Sequence, residues 1–439
     1  MLDVRDPRLR PLAFDGNFGL EREALRVTAD GHMAHTPHPF PADHPRIVRD
    51  FCENQTEINT RVWPTAEEAV TELKALNADI LRVLGNGERG KGNGERGTGN
   101  GERGTGNGEV LWPFSNPPPL RGEDDVVPAK FVGELSGKSS YRDYLAAKYG
   151  RYLMTYCGIH VNFSFGDRLL EAGRVALPRD RDALYLHVAA GSVLWGWIVV
   201  ALTAASPVAD SSLFLLAGGG DDVFTGFASV RCGDLGYWNH FTPVNDFSSV
   251  DAYANAIRGY VKRGQIAAPS ELYYPVRLKP RGANRLETLV AEGIDHIELR
   301  CVDLNPLVGG LVDVRDIKFI QLFFLWSAAR PPARLTERDQ AQAVRNFKNA
   351  ARYDLDLARI SLPDGTSASV REIGLRLLSS MGRFFADFPQ EVADVIAFER
   401  EKLQHPERRY AEQVRERFGG TFAQKGLAFA KKLTEDTNV

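Results

Sequence analysis

Cysteine is scarce in this 439-residue sequence. The four cysteines, Cys52, Cys157, Cys232 and Cys301, are too far apart for a CxxC motif, so we do not expect a cysteine-ligated zinc site. Charge of one sign is not in excess either, because the formal net charge is −3 at pH 7. That balance gives no electrostatic reason to expect nucleic acid or an anionic membrane surface as a partner. With reduced thiols as the default, and with no signal peptide expected, we predict a cytoplasmic protein.

Long hydrophobic runs are rare as well. The first 20 residues contain charges and prolines and no apolar run, so we do not expect a signal peptide. Residues 183–206 lack Asp, Glu, Lys and Arg over a length that could span a bilayer. A helix buried on all sides in a large protein has the same composition. Because the rest of the sequence is typical of a globular protein, we interpret this run as a buried helix.

The stretch over residues 19–27 has the pattern of a strand closed by a turn at residues 29–31. Side chains alternate between the two faces of a strand, so Glu21 and Glu23 lie on one face. Neighbouring carboxylates repel each other, and a divalent cation such as Mg²⁺ relieves that repulsion, commonly with a substrate phosphate in its coordination shell. A solvated strand face with Arg22 and Arg26 as neighbours is the alternative.

Three further strands carry ionisable side chains on one face. Residues 47–60 predict a single strand with Glu53, Gln55 and Glu57 on one face, which Asp50 can join only across a bulge or from the strand's start. Residues 151–165 predict a strand with His160 on a polar face, as a metal ligand or as a structural hydrogen-bonding group. Residues 294–302 predict a strand on which Glu298 and Arg300 form an ion pair, or serve as metal ligand and phosphate clamp.

Residues 85–109 repeat the unit Gly-Asn-Gly-Glu-Arg-Gly-Lys/Thr. A phosphate-binding glycine loop is one interpretation, but no GK[ST] sequence follows and the strand–loop–helix context is missing. Glycine loses much entropy on ordering, and the segment has no apolar side chain to offset that cost. We therefore predict a flexible loop outside the active site.

The remaining pattern is mostly helical. An extended segment is predicted over residues 271–277 and a loop over residues 230–237. Helices are predicted over residues 65–84, 139–149, 251–262, 313–327, 337–353 and 389–418.

Seven motifs follow one another along the sequence: Gly-Leu-Glu-Arg-Glu (19–23), Asp-Phe-Cys-Glu-Asn-Gln-Thr-Glu (50–57), Leu-Trp-Pro-Phe-Ser (111–115), Gly-Ile-His-Val-Asn-Phe-Ser (158–164), Gly-Asp-Leu-Gly-Tyr (233–237), Glu-Leu-Tyr-Tyr-Pro-Val-Arg (271–277) and Ile-Glu-Leu-Arg-Cys-Val-Asp-Leu-Asn-Pro (297–306). With these motifs in this order, the sequence resembles bacterial glutamate–cysteine ligase, including the form found as the first half of bifunctional glutathione synthases. The resemblance implies an α+β fold of glutamine synthetase-like type, with a curved, largely antiparallel sheet funnel and surrounding helices. It also implies a single catalytic domain over residues 1–439, helical from about residue 330. No ATP-grasp motif follows, so we do not expect a bifunctional glutathione synthase.

The resemblance also implies the roles of individual residues. The expected ligands of Mg²⁺ or Mn²⁺ are Glu21, Glu23, Asp50, Glu57, His160 and Glu298. Arg300 and Glu298 are the expected catalytic residues, and Arg277 and Arg300 are expected beside the ATP phosphates. The expected substrate-binding residues are Phe51, Tyr141, Arg231, Tyr237 and Tyr273.

The implied activity is an ATP-dependent ligation of the γ-carboxylate of glutamate to the amine of cysteine, the first step of glutathione biosynthesis. A related glutamate–amine ligase with a different acceptor is the alternative. A catalytically silent nucleotide-binding protein would not need the full acidic set, and a membrane-anchored protein would need residues 183–206 as its span. We expect glutamate, cysteine and ATP as small-molecule partners, and a monomer.

Overall fold

The structure is a computed structural model that describes residues 2–85, 108–131, 136–214 and 221–437. It contains a seven-stranded sheet and two separate two-stranded sheets. The strands are β1 (Gly16–Val27), β2 (Ile47–Arg49), β3 (Gln55–Asn59), β4 (Val110–Leu111), β5 (Gly158–Phe165), β6 (Val208–Asp210), β7 (Asp222–Phe224), β8 (Val276–Lys279), β9 (His296–Asp303), β10 (Arg359–Ser361) and β11 (Ser367–Ser369). The helices are α1 (Ala66–Gly85), α2 (Gly137–Tyr149), α3 (Asp167–Ala172), α4 (Pro178–Trp195), α5 (Trp197–Thr203), α6 (Val250–Lys262), α7 (Leu286–Glu292), α8 (Val314–Ala329), α9 (Glu337–Ala350), α10 (Val370–Phe384), α11 (Gln390–Gln404), α12 (Tyr410–Phe418) and α13 (Phe422–Thr437).

The main sheet has the strand order β2-β3-β1-β5-β9-β8, with β4 paired to β1, and its pairings are antiparallel. On one face, Leu20, Val161 and Leu299 form a row of buried apolar side chains across β1, β5 and β9. Helices α1, α4 and α5 contact the sheet. Among the described residues the edge strands β2 and β8 do not pair, so the sheet is not a closed barrel. This architecture confirms the predicted α+β class.

The prediction of one strand over residues 47–60 is wrong, because the chain reverses there. β2 and β3 form a hairpin, and the side-chain oxygen of Gln55 accepts hydrogen bonds from the backbone N–H groups of Phe51 and Cys52 in the turn. The turn takes Glu53 off the shared face, and its carboxylate accepts a hydrogen bond from the N–H of His38. The N–H of Asp50 donates to the carbonyl of Gln55, so Asp50 lies at the end of β2 next to β3.

The strand predicted over residues 151–165 begins later than expected. Tyr152–Thr155 form a 3₁₀ turn, and β5 starts at Gly158. Within β5 the predicted alternation holds, since Ile159 and Val161 are fully buried in the core while His160 pairs with Glu21 of β1.

The apolar run over residues 183–206 lies mostly in two helices, α4 and α5, whose axes differ by 57° at the break at Gly196. A side chain at Gly196 would come within 2.4 Å of the Ser192 carbonyl oxygen, which explains the small residue at the bend. In the described part of the chain no single helix is long and apolar enough to cross a membrane, but this bent pair passes that test by length and composition. All residues of α5 are buried against the rest of the protein.

Two other predicted segments have different boundaries. The helix predicted over residues 389–418 is divided into α11 and α12 by a 3₁₀ turn, Pro406–Arg408. Of the glycine repeat, residues 86–107 lie outside the described residues. Its two ends are described: Gly85 is the last residue of α1, and Glu109 is buried, with its carboxylate 2.6 Å from Nη1 of Arg26.

Candidate active site

One face of the main sheet carries a row of ionisable side chains, contributed by β3, β1, β5, β9 and β8 and by Asp50 at the end of β2. The register puts Glu57 opposite Glu23, His160 opposite Glu21, and Arg277 opposite Glu298. In spatial order from β2 to β8 the row consists of Asp50, Glu57, Glu23, Glu21, His160, Glu298, Arg300, Arg277 and Lys279. The carboxylates therefore concentrate on one side of the face and the cations on the other.

Glu21, His160 and Glu298 form a compact cluster at the centre of this row. Nδ1 of His160 is 2.9 Å from Oε2 of Glu21 and 3.6 Å from Oε1 of Glu298. One potential ligand atom from each of the three residues lies within 4.8 Å of the others. Burial and then the charge of Arg300 lower the pKa of His160, which favours the neutral imidazole that a metal needs. These donors fit a divalent cation.

Glu23 and Glu57 form the acidic side of the site. Burial, and then the charge of Asp50, raise the pKa of Glu23 to about 8, although the N–H of Gly158 donates to its Oε2 at 3.0 Å. The same two causes raise the pKa of Glu57 well above its usual range. Carboxylates that repel each other in this way are stabilised by a bound cation. Burial would also raise the pKa of Glu21, but the contact with His160 holds it below the usual value.

Glu298 is fully buried and bridges two cations. Nη1 of Arg300 donates to its Oε1 at 2.6 Å, and Nζ of Lys279 is 3.2 Å from its Oε2. Burial opposes ionisation, but Arg300 and Lys279 hold the pKa of Glu298 well below its usual range. Lys279 is not among the site residues expected from the sequence, because the predicted extended segment ends at residue 277. The signal was there, since Lys279 lies two positions after Arg277 and shares its face.

A β-bulge lies beside His160. Ile159 pairs with Val302 and Val161 with Leu299, so β9 has one residue more than β5 across this interval. The guanidinium group of Arg231 lies at the bulge, where Nη2 donates to the carbonyl of Arg300 at 2.9 Å and Nη1 donates to the carbonyl of Val302 at 3.3 Å. A bulge re-aims the side chains next to it.

Three of the predicted substrate-binding residues lie around one cavity. The rings of Tyr237 and Tyr273 contact each other with centroids 3.8 Å apart, and Arg231 lies beside them. The cavity has a volume of about 60 Å³, and its lining consists of Val200, Arg231, Cys232, Tyr237, Trp238, Tyr273, Tyr274, Pro275, Arg300, Cys301 and Phe347. Phe51 and Tyr141 do not line this cavity. Phe51 is buried beside the hairpin turn, and the Tyr141 hydroxyl accepts a hydrogen bond from Ser270 at 3.0 Å.

Arg277 shares the face of Glu298 but its guanidinium group is turned toward the backbone. Nε donates to the carbonyl of Leu272 at 3.0 Å, and Nη2 donates to the carbonyl of Ser270 at 2.8 Å. The structure therefore brings the metal-ligand candidates and Arg300 together. Arg277 lies on β8, at the edge of the main sheet.

Comparison of the sequence with known proteins gives consistent matches. A family model described as glutamate–cysteine ligase matches residues 3–89, 103–267 and 241–350. The glutathione biosynthesis bifunctional protein GshAB of Listeria monocytogenes serotype 4b is 33% identical, over 95% of this chain and 54% of the relative. The Clostridium perfringens protein of the same name is 30% identical, over 94% of this chain and 53% of the relative. The chain thus spans about half the length of these curated relatives.

Two solved structures have a similar fold. A glutamate–cysteine ligase from Francisella tularensis in complex with AMP has a TM-score of 0.82 at 20% identity, with 97% of this chain and 89% of that chain covered. A bifunctional glutathione synthetase from Pasteurella multocida has a TM-score of 0.77 at 25% identity, with 99% of this chain and 54% of that chain covered.

Proposed function

Because the chain belongs to the glutamate–cysteine ligase family, we propose that it joins the γ-carboxylate of L-glutamate to the amine of L-cysteine with consumption of ATP. The product would be γ-glutamylcysteine, and the reaction the first step of glutathione biosynthesis. The observation that carries the proposal is the row of carboxylates, histidine and cations on one sheet face, with Glu21, His160 and Glu298 within ligand distance of one another.

The chemistry requires activation of a carboxylate, which is a poor electrophile. An oxygen of the γ-carboxylate forms a bond to the γ-phosphorus of ATP while the bond to ADP breaks, which gives γ-glutamyl phosphate. The amine nitrogen then forms a bond to the acyl carbon and loses a proton. The bond between the acyl carbon and the phosphate oxygen breaks, and phosphate leaves with the electron pair of that bond. Both partners of the first reaction are anionic, so neutralisation of charge is the main requirement.

The charge of each residue indicates its role in this neutralisation. We assign Glu21, Glu23, Asp50, Glu57, His160 and Glu298 to the binding of Mg²⁺ or Mn²⁺. A bound divalent cation would supply charge neutralisation at the phosphate oxygens. Arg300 would donate hydrogen bonds to the oxygens of the transferred phosphoryl group, with Glu298 orienting its guanidinium group. Arg277 would contribute positive charge at the nucleotide side of the face.

The acceptor would bind near Tyr237, Tyr273 and Arg231. Their place around a small cavity next to Arg300 supports this assignment, because the amine must reach the acyl phosphate. Phe51 and Tyr141 stay proposed members of the acceptor site, although neither lines this cavity. A monomeric state, a single catalytic domain and a cytoplasmic location also remain predictions.

The decisive experiment measures ADP and phosphate release with glutamate, ATP and Mg²⁺ against a panel of amine acceptors. We expect cysteine to give the highest kcat/KM, with 2-aminobutyrate, glycine and ammonia as the comparison amines. A higher kcat/KM for another amine would establish the alternative, a glutamate ligase with a different acceptor. Failure to release ADP with any amine, in a folded protein, would reject ligase function.

A further inference from the structure

Arg231 contacts both strands that flank the centre of the site. Its guanidinium group donates to the carbonyls of Arg300 and Val302 on β9. It also lies flat against Gly158 of β5, where a Cβ atom would be only 2.1 Å from Nη2 of Arg231. The N–H of that same glycine donates to the carboxylate of Glu23. Arg231 is therefore fixed between the backbone that carries Arg300 and the backbone that holds Glu23.

Asp303 is the charged partner behind Arg231. It is 1% exposed, and its Oδ1 lies 3.8 Å from Nη1 of Arg231. Oδ1 also accepts a hydrogen bond from Ser229 at 3.0 Å. Oδ2 accepts from the N–H of Ala205 at 3.0 Å and from the hydroxyl of Ser206 at 2.7 Å. The carboxylate thus has donors on both oxygens, and its position is determined by groups from two other chain segments, residues 205–206 and 229–231.

The β-bulge beside His160 makes the backbone at Arg300 depend on hydrogen bonds other than those of regular strand pairing. Arg300 and Cys301 together stand opposite the single residue His160, so the backbone direction at Arg300 is not set by regular strand pairing. The N–H of Arg300 donates to the carbonyl of Pro275, and its carbonyl accepts from Arg231. These two bonds fix the peptide groups from which the Arg300 side chain extends toward Glu298 and His160.

We propose that Asp303 and Arg231 are positioning residues that hold the β9 bulge and thereby aim Arg300 at the phosphoryl group in transfer. This inference rests on the proposed ligase function and extends it to residues that need not touch ATP or glutamate. Arg231 also lines the cavity next to Tyr237. Its hydrogen bond to the carbonyl of Arg300 would therefore couple the acceptor side of the site to the phosphoryl side.

The test uses Asp303→Asn, which keeps the size of the side chain but turns one acceptor into a donor. The amide nitrogen would then face either Ala205 and Ser206 or Ser229 and Arg231, and each of these groups is itself a donor. We expect kcat to fall about 100-fold, as for a reacting group displaced by about 1 Å, while KM for ATP changes less than about threefold. A matched control is Glu109→Gln, which disrupts another buried ion pair, that with Arg26, away from these contacts.

A double-mutant cycle distinguishes positioning from general loss of stability. If Asp303 acts through Arg300, then Asp303→Asn in an Arg300→Lys background should cost less than about threefold in kcat, because coupled residues are not additive. An equal cost in both backgrounds, or wild-type kcat in Asp303→Asn, would overturn the proposal. Should Asp303→Asn not fold, Ser229→Ala removes a single donor to the same carboxylate and is judged by the same cycle. An inactive wild type would instead reject the ligase function itself.

Discussion

Glu23 on β1 lies directly opposite Glu57 on β3, so two partly buried carboxylates face each other across neighbouring strands. Asp50 adds a third negative charge that raises the pKa of both. Without a cation this arrangement is unfavourable, which is the physical reason to assign it to metal binding.

The first prediction compares two glutamates of the β2–β3 hairpin. Glu57→Gln should lower kcat by about 100-fold or more at saturating Mg²⁺, because it removes an anionic ligand from the proposed metal site. Glu53→Gln is the matched control, since that carboxylate is turned toward Arg49 and the N–H of His38. Steady-state kinetics with a Mg²⁺ titration measures both variants. Near-wild-type turnover of Glu57→Gln would remove Glu57 from the metal site.

Glu23→Gln provides an independent prediction on β1. It should reduce turnover by a comparable factor and leave the fold intact, because Gln keeps an oxygen that can accept from the Gly158 N–H. Circular dichroism and a thermal melt check the fold, and turnover at saturating Mg²⁺ checks the role. A variant with wild-type activity would contradict the assignment.

A pH dependence follows from the raised pKa of Glu23, about 8 against a usual value of 4.5. In metal-free protein the folded state keeps a proton that the unfolded state loses as pH rises above 4.5, so the free energy of unfolding should fall as pH rises toward 8. Mg²⁺ bound at the proposed site would compete with that proton, so its stabilising effect should be larger at pH 8 than at pH 6. Thermal melts at both pH values, with EDTA or with Mg²⁺, measure the difference. A Mg²⁺ effect that is larger at pH 6 would contradict the assignment.

Arg300→Lys separates binding from catalysis. Lysine keeps the positive charge but loses the planar fork that donates to Glu298 and to a phosphoryl group. We expect kcat to fall more than the affinity for ATP, and isothermal titration with a non-hydrolysable ATP analogue measures the second quantity. If only the affinity changed, Arg300 would be a nucleotide-binding residue without a part in the transition state.

The glycine repeat gives a prediction about tolerance to deletion. Replacing residues 86–107 by a two-residue turn should leave kcat within about twofold and stability equal or slightly higher, because the entropy of loop closure rises only slowly with loop length. The replacement keeps Glu109 and its ion pair with Arg26. Activity assays and urea unfolding measure both quantities. A large loss of ATP affinity would mean that the repeat contributes to the nucleotide site.

The sequence alone determined which faces of the strands are polar. Alternation along β1, β5 and β9 correctly predicted that Glu21 and Glu23, His160, and the pair Glu298 and Arg300 each project from one face. Such alternation is local, since successive side chains of any strand point to opposite sides. The order of the seven motifs predicted the family, and the family implied the α+β fold that the structure confirms.

Only the tertiary structure decided which of these faces meet. Glu21 and His160 are 139 residues apart in the chain, and their contact depends on the register of β1 against β5. Asp50 likewise reaches the site through a hydrogen bond between the two strands of a hairpin. Lys279 pairs with Glu298 through opposite charges on neighbouring strands. A strand pattern specifies its own two faces but not its neighbour, because strand pairing is determined by the burial of the whole sheet.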